Sequence, residues 1–449
     1  MFFRAFVSGA FLLLSLGSLD AQDFKPPALP GGKMVDSGTS PQLLKPISKL
    51  KPGTKIAKTA PVVDFAFYPG QTYPGRPWSV WGDSLAVGDL YYSSIGDHLS
   101  PEGNAYVYQY DSTKKTLKRI VDVRKTLNRP KGYYTPGKIH SRIDLGSDGW
   151  LYFSTHRGST RVAFNPDFHY EGDWILRHHP QTGKTEIVAA QPLKMQSLPT
   201  GMLDPDRLIW YAGTQDGLNK AGPKFLAYDV RKRKVLYSDD KGPYRYLIFA
   251  RSTGRVYFNG TQSSPNRTGE PDKLVRFDPE KPGKPVEIDA RVGLRSATLE
   301  TPQNIVYSVN GDNLWAFNTK TEKAEYLGPC VVGTKTYITS IDADMKTGRY
   351  LYFVAGAHGG SQDDGTPLVQ YDVKTKTRKV IAFLHPYLYD RYGYVALGTF
   401  GSAVSPEGDK VYITWNGNYG TKREDLGRRL RFNACAMCVV HIPESERQP

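Results

Sequence analysis

Seven times along the chain a Gly/Asp-containing turn gives way to a short run rich in Tyr, Val, Leu and Phe. The copies begin Asp89-Leu-Tyr-Tyr-Ser, Trp150-Leu-Tyr-Phe-Ser, Leu208-Ile-Trp-Tyr-Ala, Arg255-Val-Tyr-Phe-Asn, Asn304-Ile-Val-Tyr-Ser, Tyr350-Leu-Tyr-Phe-Val and Lys410-Val-Tyr-Ile-Thr. Runs of this length and composition, bounded by turn residues, predict strands. A second strand pattern lies between them and ends in an aromatic-Asp pair or its equivalent. It is seen at Tyr110-Asp111, His179-Pro180, Tyr228-Asp229, Phe277-Asp278, Phe317-Asn318, Tyr371-Asp372 and Ile442-Pro443. Several of these pairs lead through a Lys-rich turn into one more strand, as in Asp372-Val-Lys-Thr-Lys-Thr-Arg-Lys-Val-Ile. Few windows carry a sustained helical period.

Seven repeats of a four-stranded unit predict an all-β chain folded as a seven-bladed β-propeller. A solenoid would keep its period more strictly and need caps, and a sandwich would not repeat seven times. The last repeat supplies only three strands, near 394–405, 410–415 and 437–442. The run 62–67 is the natural fourth, so an N-terminal strand is expected to close the ring and remove its free edges. The propeller is assigned to residues 61–449. Residues 22–60, rich in Pro, Lys, Gly and Ser, read as a flexible tether with no core of its own. Residues 1–21 read as a secretory signal: Arg4, then an apolar run from 5 to 16, then Ala21 before the cut. The apolar run is short for spanning a bilayer, so the mature chain is expected to be exported, periplasmic or extracellular, without a membrane span and monomeric.

The repeat also sorts residues by face. Loops after the second strands and before the first strands share one face of a propeller, and the long inserts fall there. The stretch 137–158 anchors that face. It reads as a hairpin around Gly146-Ser147-Asp148-Gly149, which brings His140 to the same sheet edge as His156 and Arg157. Other blades add His98, Gln215, Tyr244, Arg245, Tyr246, Gln262, Arg295, Asn310, Tyr337 and His358. Elaboration confined to one face of a rigid scaffold is where a site is expected.

The gathered groups are His, Tyr, Arg, Gln and Asn, with few carboxylates. A paired-acid glycoside hydrolase is therefore not indicated. No Gly-x-Ser-x-Gly elbow, His-Glu-x-x-His motif or phosphate-binding glycine loop occurs. The set suits β-elimination on a uronic-acid sugar, which needs a cation to neutralise the carboxylate, a base for the adjacent proton and an acid for the leaving oxygen. His140, His156, Tyr246 and Tyr337 are the candidate acids and bases. Arg157, Arg245, Arg295, His358, Gln215, Gln262, Asn310 and Tyr244 are the candidate substrate-binding residues. Plainer readings stand beside these: His140 as a satisfied histidine lining the channel, His156 and Arg157 as structural hydrogen-bonding groups to neighbouring blades, and His358 as part of a flexible loop; the run Arg428-Arg-Leu-Arg431 reads as a solvated face.

A net charge of +15 in an exported chain points to an acidic polysaccharide or oligosaccharide rather than nucleic acid. A divalent metal in the central channel, held by three of His98, His140, His156 and His358, is an alternative neutraliser, although the elimination does not require one. The three cysteines, Cys330, Cys435 and Cys438, leave at least one thiol unpaired; a local Cys435–Cys438 bridge or buried thiols are expected.

The repeats and the His/Tyr/Arg set resemble those of exported bacterial propellers, among them streptogramin-lyase-like proteins and propeller lyases acting on oligogalacturonate or ulvan. That resemblance covers the whole repeat region and implies a lyase for acidic polysaccharide. The His-x-His metal pair of the oligogalacturonate type is absent. Two other readings stand beside it: a non-catalytic propeller binding glycan or protein on the same face, and a metal-dependent lactonase-type hydrolase.

Overall fold

The computed structural model describes residues 24–158, 165–216, 222–259 and 271–448. The expected signal segment and Gln262 lie outside them. Seven small antiparallel sheets follow one another along the chain, and the fold is a seven-bladed β-propeller. Blade one runs Leu85–Val87, Leu90–Gly96, Ala105–Asp111 and Thr116–Asp122. Blades two to six repeat the scheme. The anchoring hairpin forms blade two's inner strands: His156 lies opposite Lys138 and Leu151 opposite Leu145 in antiparallel register.

Blade seven supplies Tyr394–Val404, Lys410–Tyr419 and Ala434–His441 from the C-terminal end of the chain. Its fourth strand is Val62–Phe67, paired residue for residue with Ala434–His441 from Val62↔His441 to Phe67↔Ala436. The N-terminal strand thus closes the ring. Alternation along it explains the fit: Val63, Phe65 and Phe67 face one core and Ala66 the next. Phe65 stacks on Tyr392 with ring centroids 4.5 Å apart.

Residues 24–60 depart from the expected tether. Asp36–Gly38 adds a fifth strand outside Val62–Phe67, and Lys55–Ile56 runs parallel to blade six's outer strand, Thr377–Phe383. Between them the single turn Pro41–Leu44 is capped by the Ser40 hydroxyl, which accepts from the Gln42 amide at 3.1 Å. Leu29, Leu43 and Ala57 are buried in the core shared by blades six and seven. A handful of apolar anchors separated by Pro and Lys has no period to read, yet each finds a gap in an edge that would otherwise face water. Leu43→Ala is expected to cost roughly 2–5 kcal/mol, the usual range for emptying a buried leucine site. A lowered urea midpoint with unchanged m would show it; an unaltered midpoint would mean that the segment does not contribute to the ring.

All three cysteines are buried free thiols. The indole N–H of Trp415 donates to Cys438 Sγ at 3.0 Å, so of the two expectations the buried-thiol one describes this fold.

Candidate functional site

Residues of six blades meet at one mouth of the channel around the indole of Trp81, which precedes the first strand of blade one. Its ring lies 5.4 Å from that of His98, 6.3 Å from His140, 5.7 Å from His358 and 4.4 Å from Phe400, centroid to centroid. The Lys138 Nζ sits 4.3 Å above it. His156 stands edge-on to His140 at 5.5 Å. Across the mouth the Tyr337 ring tilts on His358 at 4.7 Å, and Arg295 Nε donates to the Tyr337 hydroxyl at 2.7 Å. Arg245, from the loop before blade four's inner strand, completes the wall. Its guanidinium is 5.0 Å from the Tyr244 ring centroid, and its Nε is buried without a partner. Backbone packing sets this spacing: a side chain at Gly96 would meet the Gly137 carbonyl at 2.1 Å, so blade one's second strand can close on blade two's entry only as glycine.

The hydrogen bonds fix which nitrogen of each central histidine carries the proton. His140 Nδ1 lies 2.8 Å from the Pro199 carbonyl. A carbonyl only accepts, so Nδ1 carries the proton and Nε2 keeps its lone pair. His156 Nδ1 is 2.5 Å from Ser197 Oγ. That hydroxyl donates to Asp173 Oδ2 at 2.7 Å and accepts the Arg157 amide at 3.1 Å. Asp173 also receives the Thr155 hydroxyl at 2.7 Å, and burial raises its carboxyl to about 6.

Electrostatically the mouth crowds basic groups into a dry space. Burial first, then Lys138, Arg245 and Arg295, holds the His140 imidazole well below its ordinary range. Burial followed by Lys138 and His140 does the same to His156. His358 is lowered to about 4 by burial, Arg295, Arg245 and Lys138. Burial and the two guanidiniums of Arg245 and Arg157 push the Lys138 amine down as well. The imidazoles of His140, His156 and His358 and the Lys138 amine are each driven towards the neutral form by burial and by neighbouring cations, a condition that an entering anion would relieve.

Beneath the mouth is a cavity of about 30 Å³, lined by Trp81, His140, Arg245, Arg295 and Phe400, with Asp83, Arg142 and Tyr246 also on its walls. That volume admits a water or a single small charged group, not a sugar ring. Asp83 is its one carboxylate, and Arg142 matches it at 3.3 Å.

The structure separates the expected site residues. His140, His156, Arg245, Arg295, Tyr337 and His358 come together, with Tyr244 beside Arg245. Tyr246 lines the cavity but is no free acid: its hydroxyl donates to Asp83 Oδ2 at 2.8 Å and accepts from Arg142 at 3.1 Å. Burial and Asp83 raise its phenol well above the usual range. Arg157 turns inward and is fully buried, donating to the Gly158 and Asp216 carbonyls at 2.6 and 3.3 Å; it braces blades two and three rather than clamping a ligand. Gln215 lies one residue before the end of the blade-three strand Ile209–Asp216, opposite Ser197. Asn310 ends a blade-five strand, buried, with its Oδ1 unpartnered. Trp81 and Phe400 are absent from the expected set; Lys138 is expected on this face beside His140, though not as a site residue. The repeat points to Trp81, because it enters blade one as His140 enters blade two and Arg295 blade five.

Among the described residues no three His, Cys, Asp or Glu are placed to hold a metal ion. Lys138 acts as a neighbouring positive charge on all four histidines, and Arg245 and Arg295 add to it at His140 and His358.

The chain matches no known protein family and no curated protein. Among solved structures it superimposes on an oligogalacturonate lyase from Vibrio parahaemolyticus with a TM-score of 0.53 at 11% identity, covering 92% of this chain and 98% of that one. An oligogalacturonate lyase in complex with manganese gives 0.48 at 12% identity, over 90% and 99% of the two chains. The WD40 repeats of RRP9 give 0.48 at 10% identity, over 88% and 100%. The likeness is one of fold. At such identities a shared ring of blades says nothing about the chemistry at its mouth.

Proposed function

We propose that this chain is an exported lyase that cleaves an acidic, uronate-containing polysaccharide by β-elimination. One observation supports the reading above others: an unprotonated His140 Nε2, two guanidiniums and a phenol share a mouth above a cavity that admits a single small charged group. In this reading Arg245 and Arg295 take the uronate carboxylate and stabilise the enolate-like intermediate. His140 Nε2 removes the proton from the carbon bearing that carboxylate. The electron pair forms a carbon–carbon double bond as the glycosidic C–O bond breaks, and the Tyr337 hydroxyl protonates the departing oxygen. His156, held through Ser197 by Asp173, orients and backs His140. The similarity in fold to oligogalacturonate lyase is compatible with this chemistry, which rests on the side chains of the mouth and routes no step through a metal.

The test is incubation with a panel of uronate polysaccharides, following the ultraviolet absorbance of the unsaturated product. Absorbance on at least one is expected. Tight binding to one with absorbance on none would replace the lyase by a glycan-binding propeller.

The pH profile carries a signed expectation. The base must be unprotonated, and its imidazole in the free protein lies well below the ordinary histidine range. The acid limb of kcat/KM, which reports the free protein, should therefore lie at lower pH than an ordinary histidine would give. A bound carboxylate favours the imidazolium, so the acid limb of kcat should lie at higher pH than that of kcat/KM. Limbs in the reverse order would remove His140 as the base.

A further inference from the structure

The run 428–431, which reads as a solvated face in the sequence, does not lie idle on the surface. Arg429, Arg431 and Phe432 form one wall of a groove of about 840 Å³, and Arg76 with Pro77 the other. His358 belongs to both this groove and the aromatic cluster around Trp81, so the groove begins where the mouth ends. The wall is pinned. Asn418 Nδ2 donates to the Arg431 carbonyl at 2.8 Å, Asn433 Oδ1 accepts the Tyr419 amide at 2.8 Å, and the Phe432 ring lies against Gly359. Neighbouring cations are spoken for: Arg423 pairs with Asp390 and Arg428 with Asp425. Arg76, Arg429 and Arg431 are exposed and have no carboxylate partner among the described residues.

We infer that this groove is a second anion-binding subsite that receives a further uronate of the same chain whose first carboxylate enters the mouth, making the protein selective for oligomers over short fragments. The inference rests on the polysaccharide reading above and deepens it. The volume falls within the roughly 300–1,000 Å³ of pockets that enclose drug-sized ligands, enough for sugar rings where the inner cavity is not. Three guanidiniums on the two walls of one groove suit carboxylates repeated along a polymer, because each offers a forked pair of donors. Phe432 offers a ring face for a sugar to pack on. Two linked subsites raise affinity through effective concentration even when each is weak.

The experiment uses di- and octasaccharides of pectate and of alginate, with binding measured by calorimetry and turnover read separately as ultraviolet absorbance. In at least one series the octasaccharide should bind at least about tenfold more tightly than the disaccharide. In the Arg429→Gln/Arg431→Gln protein that ratio should fall to within about threefold, with disaccharide affinity unchanged and a shallower dependence on salt. An unaltered ratio in the double variant, or no length dependence in either series, overturns the subsite. The two readings fail differently. Length dependence lost on substitution, with no unsaturated product from any protein, keeps the groove and removes the lyase. Product formation without length dependence does the reverse.

Discussion

His140→Ala is expected to lower kcat/KM on the cleaved polyuronate by about 10²–10⁴-fold, the usual contribution of a positioned general base. The loss should fall mainly on kcat, because the carboxylate ligands Arg245 and Arg295 remain. His140 is half-buried and its ring is held by a hydrogen bond to the Pro199 carbonyl, so the fold should survive, which an unchanged melting temperature would verify. Arg295→Gln should behave differently: the uronate carboxylate would be held and neutralised less well, raising KM and lowering kcat together. It would also release the Tyr337 hydroxyl from its 2.7 Å bond. Tyr337→Phe should suppress turnover while leaving polymer affinity intact. Full activity in both His140→Ala and Tyr337→Phe would dissolve the proposed acid–base pair.

Arg142→Met should be the most destabilising single change in the channel, by roughly 3–5 kcal/mol, as when one member of a buried ion network is removed. Arg142 bridges Asp83 and Asp144 at 3.3 Å each inside the waist of the ring. Ser340 and Tyr246 complete the coordination of Asp83 at 3.1 and 2.8 Å. Burial raises the carboxyls of Asp83 and Asp144, and it raises Asp342 next to them to about 7. Without the guanidinium neither Asp83 nor Asp144 keeps a paired cation among the described residues, and Arg295 acts on Asp83 only at longer range. The sign of the pH effect follows. A carboxyl whose folded pKa lies above the unfolded value near 3.9 binds more protons in the folded state as pH falls. The variant should therefore recover part of its stability between about pH 7 and pH 5. Urea unfolding at both pH values measures it, and a deficit that grows on acidification would show that the network is not held by charge balance.

The waist also explains where Tyr246 went. Seen in sequence beside Tyr244 and Arg245, it looks like one more mouth residue. In a strand entry, however, neighbouring side chains point to different levels of the channel, and its hydroxyl is taken by Asp83, which lies 163 positions away. Arg157 was misplaced for a related reason. It follows His156 directly, and successive residues at a strand end point to opposite sides. His156 takes the mouth and Arg157 the space between blades.

The sevenfold repeat, the N-terminal strand that closes the ring and the hairpin that unites His140 with His156 are all written in local patterns. Alternation over four to seven residues, turn residues between runs and a missing strand in the last repeat are enough to find them, since a strand's period and a turn's chemistry are local properties. The face on which His140, Arg245, Arg295, Tyr337 and His358 assemble was legible for the same reason, because each occupies a fixed place in its blade. Tertiary structure alone decided which of those side chains reach the same few ångströms. It set Trp81 among the imidazoles of His98, His140 and His358 and put Arg142 among buried aspartates. It drew residues 36–57 onto the rim and turned 429–432 into the wall of a groove. These contacts join residues tens to hundreds of positions apart, and they depend on the angle at which one blade meets the next, a quantity that no single repeat contains.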